Sequence, residues 1–100
     1  MLFIIYLEVC HDIKIQTKRY GNENSYKIGT CTNQQKTYGD YENYEEKCCL
    51  PRGTYTLECI CSYGDGWHGG YIEIDGKKYC EDFTQPRPNG YSKSVAVTFD

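Results

Sequence analysis

Seven cysteines, at positions 10, 31, 48, 49, 59, 61 and 80 of a 100-residue chain, restrict its structure more than any other feature. Thiols at that density are uncommon in a reducing compartment unless they hold metal, and they commonly reinforce a core too small to be stable alone. A chain of this length buries roughly two-thirds of its unfolded surface on folding, which suits one domain with a modest core. The expectation is a single secreted or extracellular-surface domain over residues 1–100, cross-linked by disulfides. If six cysteines close three bridges, the seventh is unpaired or joined to another chain.

Spacing limits the pairing without deciding it. Cys59 and Cys61 project from the same side of an extended segment with Cα atoms roughly 6.5–7 Å apart, so each needs a partner elsewhere. The adjacent Cys48 and Cys49 are likewise driven to different partners. The preferred arrangement joins Cys80 to one of Cys48 and Cys49, Cys31 to the other, and Cys10 to Cys59 or Cys61. A structural zinc site is disfavoured, because Cys59-x-Cys61 lacks the two-to-four-residue separation of a zinc knuckle. No C-x-x-C redox motif occurs.

Period-2 alternation runs through most of the chain. In VCHDIKIQT, Val9, His11, Ile13, Ile15 and Thr17 fall on one face and Cys10, Asp12, Lys14 and Gln16 on the other. Ser25–Ile28 is a short strand after an asparagine- and glycine-containing turn. The 19 residues from Gly29 to Lys47 exceed the usual loop length and should hold at least one short strand. Pro51-Arg52-Gly53 makes a turn. In the strand after it, Tyr55, Leu57, Cys59 and Cys61 share one face, and Thr54, Thr56, Glu58 and Ile60 the other. Tyr71–Ile74 resumes the alternation, Asp75-Gly76 signals a tight hairpin, and Lys77–Phe83 should return antiparallel. Pro86 and Pro88 keep residues 84–90 out of a central strand. Ser92–Phe99 closes the chain with Val95, Val97 and Phe99 facing inward.

No stretch carries a helical apolar period, so the fold class expected is all-β, a small disulfide-stabilised antiparallel β-sandwich of jelly-roll type. Met1–Leu7 is apolar but far short of the roughly 20 residues a membrane-spanning helix needs. Leu2–Val9 reads as an ordered N-terminal strand; the rival readings of residues 1–8 are a signal-peptide remnant or a surface that another subunit covers.

The glycine loop Tyr63-Gly64-Asp65-Gly66-Trp67-His68-Gly69-Gly70 is the most distinctive motif. Glycine permits positive φ and close backbone approach, so the indole either plugs the end of the sandwich or stays open as a platform. On the second reading Tyr63, Asp65, Trp67, His68 and Tyr71 form a binding surface on which rings stack against a glycan or a partner surface. Calcium is the candidate ion, because Asp40, Asp65, Asp75 and Asp82 are hard oxygen donors in or beside turns. Catalysis is not expected. His11 shares the face of Ile13, the run Glu42, Glu45 and Glu46 reads as solvated surface, and no nucleophile elbow, HExxH, P-loop or dinucleotide fingerprint is present. A net charge of −3 without basic clusters argues against nucleic acid.

Gly53-Thr54-Tyr55-Thr56-Leu57, Tyr63-Gly64-Asp65-Gly66-Trp67, Gly69-Gly70 and Tyr79-Cys80-Glu81-Asp82-Phe83 together resemble a cysteine-rich β module of secreted and surface-anchored proteins of protists, algae and marine invertebrates. The resemblance implies an extracellular structural domain, often repeated or joined to others. Related sequences commonly carry aspartate where this chain has Cys61. With eleven tyrosines in the chain, the reading is an extracellular structural or adhesive module, a subunit or decoration of a cell-surface or filament assembly with other protein subunits as partners. The alternatives are a carbohydrate-binding module assisted by calcium and a small secreted toxin or inhibitor.

Overall fold

A computed structural model describes residues 7–100; of the expected N-terminal strand Leu2–Val9, residues 2–6 lie outside them, and Glu8 and Val9 open the first strand. The alternating segments become eight strands: β1 (Glu8–Gln16), β2 (Asn24–Ile28), β3 (Cys31–Thr32), β4 (Asn43–Pro51), β5 (Gly53–Cys61), β6 (Tyr71–Ile74), β7 (Lys77–Tyr79) and β8 (Ser92–Phe99). They form two four-stranded sheets, ordered β4-β1-β6-β7 and β3-β2-β5-β8, with antiparallel pairing throughout. This is the expected disulfide-bonded all-β sandwich. The described helical structure is a three-residue 3-10 turn at Gly21–Glu23.

Each face assignment follows from side-chain alternation. His11, Ile13, Ile15 and Thr17 point inward, as do Leu57, Cys59 and Cys61 on β5 and Val97 and Phe99 on β8. Between the sheets they meet Tyr26, Ile28, Trp67, Ile72, Ile74 and Phe83, each of which leaves almost no surface to solvent. Burying a large apolar side chain contributes about 1.5–3 kcal/mol, so this single layer is the main stabilising element. The Asp75-Gly76 turn joins β6 to β7 with both residues at positive φ, 53° and 79°, the backbone a two-residue hairpin requires.

β5 and β6, which bracket the glycine loop, lie in different sheets, so the loop crosses the end of the sandwich. The polar stretch before β4 supplies the short strand β3 as expected. The return strand is shorter than Lys77–Phe83: it stops at Tyr79 because Cys80 takes φ 65° and turns the chain away.

The disulfides correct the expected pairing in two places. The bridges are Cys10–Cys49, Cys31–Cys48 and Cys59–Cys80. Cys31 does meet one of the adjacent pair. Cys10 and Cys49, however, are direct partners in the β1–β4 ladder and project from its outer face, where neither reaches the interior thiols of β5. Cys80, at the end of β7 in one sheet, instead faces Cys59 in the other. Two bridges thus tie sheet to sheet, and loops of 17 and 21 residues make each worth about 3 kcal/mol. Cys61 is the free thiol, and it is buried.

Candidate functional site

The glycine loop is fastened before it presents anything. Gly64 has φ 93°, and a Cβ there would lie 2.6 Å from the Tyr91 ring; Gly66 has φ 86°, and its Cβ would lie 2.3 Å from the Phe83 carbonyl. No other residue fits these two approaches. The Trp67 N–H donates to the Phe83 carbonyl at 2.7 Å, and its indole Nε1–H donates to the Ile60 carbonyl at 2.9 Å. Trp67 is fully buried, so of the two readings of the indole it is the plug that is found and the stacking platform that is corrected: the indole caps the core and offers no ring face to a ligand.

Anchored in this way, the loop carries Asp65 over the last residue of β5. Glu23 arrives from the 3-10 turn, whose carbonyl accepts the Ser62 N–H at 2.9 Å. One ligand atom from each of Glu23, Cys61 and Asp65 lies within 4.8 Å of the others. The Cys61 thiol donates to Asp65 Oδ1 at 3.3 Å and makes a longer contact of 3.9 Å with Glu23 Oε1. His68 Nε2 stands 3.2 Å from Asp65 Oδ2 but lacks the alignment of a hydrogen bond. Partial burial raises the Glu23 carboxyl above the ordinary carboxylate range, and the neighbouring Asp65 charge adds to the rise.

Asn24 completes the cluster. It is the direct partner of Cys61 in the β2–β5 ladder, so its side chain projects beside the thiol from the same inner face. Only 4% exposed, it leaves both its amide oxygen and its amide nitrogen without a partner. Above these groups opens a cavity of about 300 Å³ lined by Tyr20, Glu23, Tyr63 and Asp65. Tyr20 and Tyr63 are each 49% exposed and Tyr91 is 44% exposed, while the Arg87 guanidinium lies 4.6 Å from the centre of the Tyr63 ring.

The remaining sequence candidates go elsewhere. Asp40 accepts the Gly21 N–H at 2.9 Å. Asp75 pairs with His11 Nδ1 at 2.5 Å beside a second cavity of about 300 Å³. Asp82 binds Lys93 at 2.6 Å, and that hydrogen bond holds its carboxyl below the usual range. The four aspartates therefore do not assemble into one oxygen cage; among the described residues Asp65 gathers Glu23 and Cys61 instead. Tyr71 is half-buried on β6 under the Lys78 ammonium, 4.4 Å from its ring centre, and does not line the loop cavity.

Sequence reasoning missed Tyr20, Glu23 and Asn24, which lie about 40 residues before the loop and are brought to it only by the β2–β5 pairing. It also placed Glu46 on the surface. Glu46 is buried, and accepts hydrogen bonds from the Tyr26 hydroxyl at 2.6 Å, the Tyr38 hydroxyl at 2.9 Å and the Gln34 N–H at 3.0 Å. The signal was present: Glu46 shares its β4 face with Cys48 and Leu50. Burial, with the adjacent carboxylate, holds both tyrosine hydroxyls protonated far above their ordinary range.

Compared with known proteins, the chain matches no family model, no curated protein and no solved structure.

Proposed function

We propose that this domain is a non-catalytic, extracellular structural module that joins a surface or filament assembly by presenting the aromatic end of its sandwich to another protein subunit. The observation that carries the reading is the patch formed by Tyr20, Tyr63 and Tyr91, each close to half exposed, with Arg87 stacked on Tyr63. Tyrosine and arginine are the residues that protein interfaces concentrate, because a rigid ring or planar guanidinium buries much surface at small conformational cost. Behind the patch stands a frame cross-linked by three disulfides, a composition that belongs to oxidising compartments. Among the described residues no helix is long and apolar enough to cross a membrane.

The test is the assembly state of the native protein before and after the double substitution Tyr63→Ser, Arg87→Ser. Sedimentation should show a self-associated or partner-bound species that the substitutions dissolve while the circular dichroism stays unchanged. A strictly monomeric protein in its native extract, indifferent to these changes, would remove the proposal. The glycan reading moves from the buried Trp67 to the exposed rings of Tyr20 and Tyr63; a glycan array on which Tyr63→Ser abolishes binding would favour it.

A further inference from the structure

We infer that the floor of the loop cavity is a binding site for a zinc-class divalent ion, held by Cys61, Asp65, Glu23 and His68. The donors come from three separate elements: the end of the 3-10 turn, the last residue of β5 and the glycine loop. Two observations independent of one another support it. The first is the donor set itself, one thiol and two carboxylates within 4.8 Å, with an imidazole nitrogen 3.2 Å from one of those carboxylates. Among the described residues no lysine or arginine forms an ion pair with either carboxylate, so the cluster holds negative charge without a fixed cation.

The second is Asn24. A primary amide that is 4% exposed with neither polar atom satisfied is costly in a closed core. Opposite Cys61 in the ladder, it has a function once an ion is bound: its N–H groups can donate to the thiolate and its oxygen can face the ion or a water upon it. The unpaired Nε2 of His68 is explained by the same ion.

The chemistry selects among cations. Calcium and magnesium take six or more oxygens and gain little from sulfur. A mixed sulfur, nitrogen and oxygen set of four donors matches tetrahedral zinc, which also has no redox chemistry to direct at neighbouring disulfides. On binding, the Cys61 S–H bond breaks, the sulfur keeps the electron pair and bonds the ion, and one proton leaves to solvent. This inference does not rest on the assembly role, because it concerns the isolated domain.

The experiment uses the full chain with its three disulfides intact, stripped of metal by chelator and titrated with cobalt(II) and then zinc. Expected are a thiolate-to-cobalt charge-transfer absorption, its loss on adding one equivalent of zinc, and proton release on zinc binding read by calorimetry in buffers of differing ionisation enthalpy. Cys61→Ser should abolish the absorption and weaken zinc binding about 100-fold or more, at or beyond what loss of an outer-shell partner costs. Asp65→Asn, which keeps the thiol and every backbone bond of the loop, should weaken zinc at least about tenfold and serves if the serine variant does not fold. Absence of zinc binding, binding unchanged in these variants, or displacement of cobalt by equimolar calcium would overturn the inference.

Discussion

Two carboxylate clusters lie in this sandwich, and they are built in opposite ways. Around Glu46, two tyrosine hydroxyls and a backbone N–H converge on a single buried carboxylate, so donors and acceptors match. Around Glu23 and Asp65, acceptors outnumber donors: two carboxylates share one thiol proton, while the amide of Asn24 and Nε2 of His68 have no partner. A closed network of the first kind locks tertiary structure, since any member left alone in a low-dielectric interior is costly. An open network of the second kind leaves polar groups that a bound ion, as inferred above, would complete. The difference teaches that buried polar groups of similar composition can serve stability in one place and binding in another, and that partner accounting separates the two.

The comparison is easiest to break through the frame that both clusters share. Trp67→Ala removes the indole that fastens the loop end and should cost about 3–5 kcal/mol, read as a lower urea midpoint. Glu46→Ala should follow at about 3 kcal/mol, because the Tyr26 and Tyr38 hydroxyls and the Gln34 N–H all lose their acceptor. If it costs less than about 1 kcal/mol, the Glu46 network is not the lock described above. Tyr38→Phe removes one of the three donors and should cost about 1 kcal/mol. Asp65→Asn, in metal-free protein, should change stability by no more than about 0.5 kcal/mol, since it removes a charge that lacked a fixed counter-ion. A loss as large as that of Glu46→Ala would show the two clusters to be alike.

The smallest effect is in the pH profile. Glu23 has a folded-state pKa above its unfolded value, so the folded chain holds its proton more tightly and stability falls as pH rises from the ordinary carboxylate range through the raised value. Glu23→Gln should flatten that descent. An unchanged profile of urea midpoint against pH in the metal-free protein would show that neither burial nor the Asp65 charge raises Glu23 in the folded chain.

Much of the architecture was legible because alternation is a local property. The inward set of His11, Ile13 and Ile15 and that of Leu57, Cys59 and Cys61 follow from period 2, and the Asp75-Gly76 hairpin follows from turn chemistry alone. The same alternation already put Cys10 on the outer face of β1, which excludes the Cys59 or Cys61 partner preferred from spacing. Glu46 was misplaced for a related reason: charge was weighed above its position on the Cys48 and Leu50 face.

The site was less legible. Asp65, Tyr63 and His68 stood out in the glycine loop, yet their neighbours Tyr20, Glu23 and Asn24 carry no motif and sit in a different part of the chain. Residue order by itself determined the strand faces, the all-β class and the unusual backbone of the glycine loop, since each depends on side-chain alternation or on glycine's access to positive φ over a few adjacent residues. Only the tertiary structure decided which cysteine stays free, which way Trp67 turns, and that Glu23 and Asn24 meet Cys61. Those outcomes depend on which strands pair, in what register and in which sheet, and such long-range pairing is settled by the packing of the whole core.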